Sequence, residues 1–346
     1  MGALLQKATR AASCHVSARL AEDGNAWSAQ RARNAYSGEP ESRMIPMSQP
    51  LKPSTAAILT LPPLLWAGNA IVGRMVHDLI SPFALNFLRW AIAFMLLLPL
   101  AGWVLRRDSA VWPQWRQFVL LGLLGIGCYN ALLYLALKTS TPLNATLVGS
   151  SMPVWMLAVG RICWGIAVSR RQLLGAALSV LGVAVVLSRG DPQVLRQLQL
   201  VPGDLFMVLA TILWAFYTWL LSRTSVSGQL RADWSGFLLA QMVFGLMWSG
   251  LFTGLEAASG RFHLQAGWPL LGALLFIAIG PAILAYRFWG LGVQRSSPAV
   301  AGFFGNLMPL FTALLSIPLL GQTPQLYHGL AFALIVGGIM VSSRRA

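Results

Sequence analysis

From residue 54 onward the chain alternates between long apolar runs and short polar gaps. A helix needs about 20 consecutive apolar residues to cross the hydrocarbon core of a bilayer. The runs fall at 54–73, 82–105, 117–137, 143–165, 171–188, 203–222, 234–255, 267–292, 297–320 and 325–342. Only 10% of the 346 residues are charged and 56% are hydrophobic, too few charges to cover a water-facing surface. The expected fold is all-α and integral to the membrane, with ten transmembrane helices.

Charge composition narrows the partners. The net charge is +15, but Lys and Arg sit in short gaps between apolar runs instead of clustering on a hydrophilic face. That is the pattern of a protein embedded in a lipid bilayer, and it speaks against a nucleic-acid partner. The three cysteines, Cys14, Cys128 and Cys163, have no pairing or metal-ligand spacing. Residues 1–53 carry seven Lys/Arg, four acids and no spanning run. They read as a disordered tail, or as an extension from a start codon assigned upstream of Met44 or Met47. Their acids argue against a transit peptide.

The two halves repeat. Residues 142–190 align without a gap on 298–346 at an offset of 156, with 13 identities in 49 pairs. Pro142 falls on Pro298, Gly149 on Gly305, Met152-Pro153 on Met308-Pro309 and Gly182 on Gly338. Leu65-Trp66-Ala67 falls on Leu213-Trp214-Ala215 at an offset of 148. The expected domains are a first repeat over 54–190 and a second over 203–344. With the N-terminus in the cytoplasm, cytoplasmic segments hold 17 Lys/Arg and outer loops 5, which is the positive-inside bias. Both termini are then cytoplasmic. Five spans per half is an odd number, so the second repeat enters the membrane inverted. Internal symmetry of this kind is characteristic of secondary transporters.

Several stretches resemble the drug/metabolite transporter superfamily, in its ten-span EamA-type branch. They are Leu64-Leu65-Trp66-Ala67-Gly68-Asn69, Ser81-Pro82-Phe83, Leu88-Arg89-Trp90, Leu173-Leu174-Gly175 through Gly182-Val183, Ala285-Tyr286, and Ser296-Ser297-Pro298 through Met308-Pro309-Leu310. The resemblance implies a permease of the cell (inner) membrane that moves, and in many relatives exports, a small metabolite. It calls for no cofactor and leaves homodimer formation open. The chain departs from the pattern where relatives carry Gly-Glu after spans four and nine; here the slots read Gly165-Ile166 and Gly321-Gln322. Arg287 follows Ala285-Tyr286, where relatives often carry an apolar residue.

No Asp or Glu is expected near the midplane, which disfavours proton relay through an intramembrane carboxylate and export of hydrophobic cations. Three arginines lie within spans. Arg89 is near the start of its span, and helical side chains tilt toward the helix N-terminus, so it is expected to snorkel outward to water. Arg161 lies near the end of its span, beside basic loop residues. Arg287 tilts inward and is the candidate to grip an anionic or zwitterionic substrate.

The candidate substrate-binding set is Trp66 and Asn69 in span one, Asn130 in span three, Ser150 and Trp155 in span four, Trp214 and Tyr217 in span six, Tyr286 and Arg287 in span eight, and Asn306 in span nine. Tyr286 pairs with Asn130, and Asn306 with Ser150, under the 156 shift. Pro153 and Pro309 are candidate hinges, since each removes a backbone donor in mid-span. The repeat points to a carrier that works by alternating access, and the resemblance implies a small, amino-acid-like metabolite as its substrate. The rival readings are an integral-membrane enzyme acting on lipid-linked substrates, whose best residues would be His77-Asp78, and a membrane scaffold or channel.

Overall fold

The structure, a computed structural model, describes residues 51–343 except 141–144, 146–147, 189, 198–200, 225, 227 and 321–324. Residues 1–50, the bulk of the expected tail, lie outside the described residues. All the named elements are helical. We label them α1 (Pro53–Met75), α2 (Pro82–Ala101), α3 (Trp115–Thr139), α4 (Met152–Trp164) and α5 (Arg170–Leu187), then α6 (Pro202–Arg223), α7 (Trp234–Ala258) and α8 (Trp268–Arg295). Two pieces, Pro298–Gly305 and Leu307–Leu320, form α9, and Leu326–Ser343 is α10. Each of the ten expected runs carries a helix. Among the described residues, seven helices are long and apolar enough to cross a membrane, and Met152–Trp164 of α4 and Gly329–Ser343 of α10 are shorter apolar helices.

The helices from the two halves interdigitate. α2 packs on α7 and α8, α3 on α6 and α7, α1 on α8 and α9, α4 on α6 and α9, and α5 on α10. Exchanging helices 1–5 for 6–10 leaves these pairings unchanged, so the sequence repeat is carried into packing. Small residues let the backbones approach. A Cβ on Gly175 would lie 2.6 Å from the carbonyl oxygen of Gly338, across the α5–α10 contact. A Cβ on Gly122 of α3 would lie 2.6 Å from the amide nitrogen of Gly245 on α7. Close approach of this kind is how helices gain dispersion energy in lipid, where burial alone gives none.

Both ends of the bundle are tied across the halves, largely by carboxylates. At one end Glu256, near the end of α7, accepts from Ser81 Oγ at 2.6 Å and from the amide of Ala84 at 3.2 Å. A carboxylate there meets the positive pole of α2. Beside it, Ser81 N donates to His263 O at 3.0 Å and Gln265 N to Leu79 O at 2.8 Å. Asp204, in the first turn of α6, accepts from Ser140 Oγ after α3 and from Val201 N at 2.9 Å. At the opposite end Trp103 Nε1 donates to Asp233 at 3.0 Å and Thr224 Oγ1 to Gln117 Oε1 at 2.7 Å. Arg223 lies over Trp164 and Trp219 at 5.6 and 5.8 Å.

Asp233 caps α7 just outside the span. Partial burial opposes its ionisation. Hydrogen bonds from the Ser235 side chain, the Gly236 amide, the Trp103 indole and the Ser235 amide outweigh that and hold the carboxyl below its usual value. A depressed folded-state pKa contributes stability that is present above the ordinary aspartate value near 3.8 and is lost as pH falls through the lower folded value. Asp233→Asn should therefore lower the thermal midpoint in detergent at pH 7, with the deficit shrinking below about pH 4. An unchanged deficit at acid pH would show that charge is not the source. For packing, Gly122→Ala should destabilise by about 1–3 kcal/mol, because its new methyl group meets backbone that can yield only by spreading α3 from α7. Denaturation of the purified protein tests this, and a neutral result would mean that the α3–α7 contact is slack.

Candidate functional site

The centre of the bundle is built around two widened helical turns. α3 is α-helical until Leu121, runs as π-helix over Gly122–Cys128, and resumes as α-helix at Tyr129. α8 does the same over Ala278–Leu284. The second segment is the first displaced by 156 residues, the offset of the sequence repeat. Locally, Gly122, Gly125 and Gly127 loosen the first, and Pro281, which lacks an N–H, loosens the second. Such π-turns recur at functional sites. Here the two symmetry mates, Gly125 and Pro281, each receive a side chain from the opposite half. Tyr286 Oη donates to Gly125 O, and Trp66 Nε1 donates to Pro281 O at 3.2 Å. Asn86 Nδ2 donates to Ile126 O at 2.9 Å. Gly125 has no room for a side chain, since a Cβ would lie 2.5 Å from the Tyr217 ring.

Seven buried rings from five helices close on one another here: Trp66, Trp90, Tyr129, Trp214, Tyr217, Tyr286 and Trp289. Trp214 is their hub. Its centroid lies 5.2 Å from Trp66, 4.8 Å from Tyr129, 4.9 Å from Tyr217, 5.5 Å from Tyr286 and 5.8 Å from Trp289. Trp90 meets Tyr286 edge-on at 4.9 Å. Such pairs contribute about 0.5–1.5 kcal/mol each beyond area burial. The polar edges are partly paired: Tyr217 Oη donates to Gln241 Oε1 at 3.1 Å, and Trp289 Nε1 to Thr218 Oγ1 at 3.3 Å. The buried indole N–H groups of Trp90 and Trp214 have no acceptor among the described residues.

A polar chain adjoins the rings. Arg89 Nη1 donates to Tyr134 Oη at 3.0 Å, Tyr134 Oη to Asn69 Oδ1 at 2.8 Å, and Asn69 Nδ2 to Asn130 Oδ1 at 3.4 Å. Arg89 is 0% exposed, which corrects the expectation that it reaches water. Leu85, Asn86, Arg89, Trp90, Ala93 and Leu97 form one buried stripe on α2. That i, i+3, i+4 face points into the bundle, and a tilt along the helix axis cannot carry the guanidinium off it.

Arg287 is the opposite correction. It is exposed and lies over the Trp234 ring at 4.3 Å. Neighbouring helix positions differ by about 100°, and Tyr286 already holds the inward face. Arg161 is also exposed. The structure thus gathers Trp66, Asn69, Asn130, Trp214, Tyr217 and Tyr286 at the centre. It places Trp155 half-buried outside the rings, donating to Ser151 Oγ at 3.0 Å. Ser150 is buried in a turn just before α4. Asn306 interrupts α9 at the matching position, fully buried, with both amide atoms unpartnered. Pro153 and Pro309 follow these two interruptions, and Pro153 faces Gly302 of α9. Trp90 and Trp289 were missed as site residues, although Trp90 is i+4 from Asn86 and Trp289 is i+3 from Tyr286.

Membrane-crossing helices of two matched halves, with a buried aromatic and polar centre between them, define a membrane transporter. The EamA-like transporter family matches twice, over residues 54–188 and 201–344, and the chain belongs to that family. An uncharacterised transporter of Archaeoglobus fulgidus is 25% identical over 84% of this chain and 98% of its own. The aromatic amino acid exporter YddG of Ancylobacter novellus is 25% identical over 67% of this chain and 76% of its own. A solved crystal structure, 23% identical and covering 83% of this chain and 96% of its own, has the same fold at a TM-score of 0.62.

The geometry ranks two substitutions. Tyr286→Phe should destabilise the protein by about 1–3 kcal/mol, since it removes a buried hydrogen bond to the Gly125 carbonyl. Arg287→Ala should cost under about 1 kcal/mol, the value of an exposed cation–π contact. Thermal denaturation in one detergent checks the order, and a reversed ranking would contradict the placement of both side chains.

Proposed function

We propose that the protein is a secondary carrier that exports an aromatic, amino-acid-like metabolite by alternating access. One observation carries the reading: the buried cluster of seven rings at the meeting of the two halves. Stacked and edge-on aromatic faces suit a planar apolar group, and the N–H groups of Trp90 and Trp214 are left to meet a polar one. The name of the Ancylobacter novellus relative supports the substrate class and the export direction.

Two five-helix halves, inverted with respect to each other and with both termini in the cytoplasm, would rock about this centre. The charge bias supports that orientation, which puts the Ser81–Glu256 and Ser140–Asp204 ties outside. The Trp103–Asp233 and Gln117–Thr224 ties then lie at the cytoplasmic face. Transport requires the two sets to open in turn, so each should limit access from its own side. The paired interruptions ahead of Pro153 and Pro309 are where α4 and α9 would flex.

Counterflow tests this. Proteoliposomes loaded with unlabelled phenylalanine should transiently accumulate labelled phenylalanine, as a carrier and not a channel would. Trp214→Ala should slow the exchange by about tenfold or more, equivalent to about 1.4 kcal/mol, and Arg287→Ala should stay within about twofold of the parent protein, since its side chain points away from the centre. Absence of trans-stimulation by phenylalanine, tyrosine and tryptophan alike would remove the reading.

A further inference from the structure

We propose that Arg89 is the residue that binds the carboxylate of the transported molecule, through the free edge of its guanidinium. This rests on the aromatic-metabolite reading above.

Of the three nitrogens of Arg89, only Nη1 has a partner, the Tyr134 hydroxyl at 3.0 Å. Nε and Nη2 are buried and have none. The side chain is 0% exposed, so water cannot solvate those donors. Nor is the charge balanced: among the described residues the one ion pair is His77–Asp78, at the surface. The two carboxylates buried among the described residues are committed elsewhere, Glu256 to the start of α2 and Asp204 to Ser140 and Val201. A buried cation without a counter-ion is strongly unfavourable. It persists where something compensates it for part of the working cycle.

The chemistry of the unsatisfied atoms identifies that something. Nε and Nη2 lie side by side on one edge of the planar guanidinium, and this edge presents two parallel N–H donors. A carboxylate accepts both at once, giving the paired geometry that arginine forms with carboxylate and lysine cannot. Tyr134, held by Asn69, occupies the other end of the guanidinium and fixes its orientation. The site also adjoins the rings. The guanidinium carbon lies 5.1 Å from the Trp90 ring, and Trp90 meets Tyr286 at 4.9 Å. A molecule with its carboxylate on Arg89 would thus rest its aromatic body against Trp90 and Tyr286. Since no acid among the described residues pairs with Arg89, the substrate's own negative charge supplies the missing counter-ion, and selectivity follows for acids over their neutral analogues.

The test uses the full-length purified protein and two probes, phenylalanine and phenylalanine amide, which differ at the carboxylate. Binding is read by tryptophan fluorescence, with 3-phenylpropionate and 3-phenylpropionamide as a second pair that lacks the amino group. The parent protein should bind each acid about tenfold or more tightly than its amide, the usual scale for a charged hydrogen-bonded pair. Arg89→Gln should abolish that preference, and Arg89→Lys should restore part of it, because charge returns without the paired donors. Without ligand, Arg89→Gln should melt at the same temperature as the parent or higher, since it removes an uncompensated buried charge.

Equal affinity of the parent protein for acid and amide would overturn the role of Arg89 while leaving aromatic transport standing. So would an Arg89→Gln protein that keeps the preference, or one that no longer folds. If the parent protein binds neither member of either pair, the aromatic reading and the Arg89 proposal fall together.

Discussion

Everything at the centre of this protein depends on one constraint. A carbonyl oxygen released from its helix at lipid depth must find a donor, because no water is there to supply one. At matched positions of the π-turns in α3 and α8, a carbonyl accepts from a side chain of the other half, Gly125 from Tyr286 and Pro281 from Trp66, while Ile126 accepts from Asn86 of its own half. That requirement brings a tyrosine and a tryptophan inward, and the remaining rings pack around them. The aromatic centre is therefore set by backbone geometry as much as by side-chain hydrophobicity.

The acids follow a complementary rule. Glu256, Asp204 and Asp233 all sit at helix ends, where N–H groups and hydroxyls compensate them. None is spent near Arg89. Among the described residues charge is thus divided by depth: carboxylates fasten the ends of the bundle, and Arg89 lies inside without a paired acid.

Much of this was legible in the sequence, for identifiable reasons. The run lengths forecast ten helices because lipid thickness fixes the length a helix needs. The repeat forecast the exchange symmetry of packing because Gly and Pro positions govern how closely backbones approach; Gly182 and Gly338, matched in sequence, both serve the α5–α10 contact. Trp66 and Asn69 read as one face of their span and Tyr286 as the mate of Asn130 under the 156 shift, and all three lie buried at the centre. Arg89 and Arg287 were transposed because depth along the helix was weighed ahead of direction around it. Reading α2 as a stripe of Asn86, Arg89, Trp90 and Ala93 would have turned Arg89 inward. The π-turns left no such trace. Gly-rich and Pro-containing segments mark where a helix can widen, but whether it does depends on donors from distant helices.

The crossed donation has a consequence for how the two halves are bound to one another. The matched carbonyls of Gly125 and Pro281 each accept from a side chain of the opposite half. A change at Trp66 would be felt first in the backbone of α8, and a change at Tyr286 in that of α3. The duplicated segments are therefore not interchangeable units; each supplies a side chain to the interior of the other.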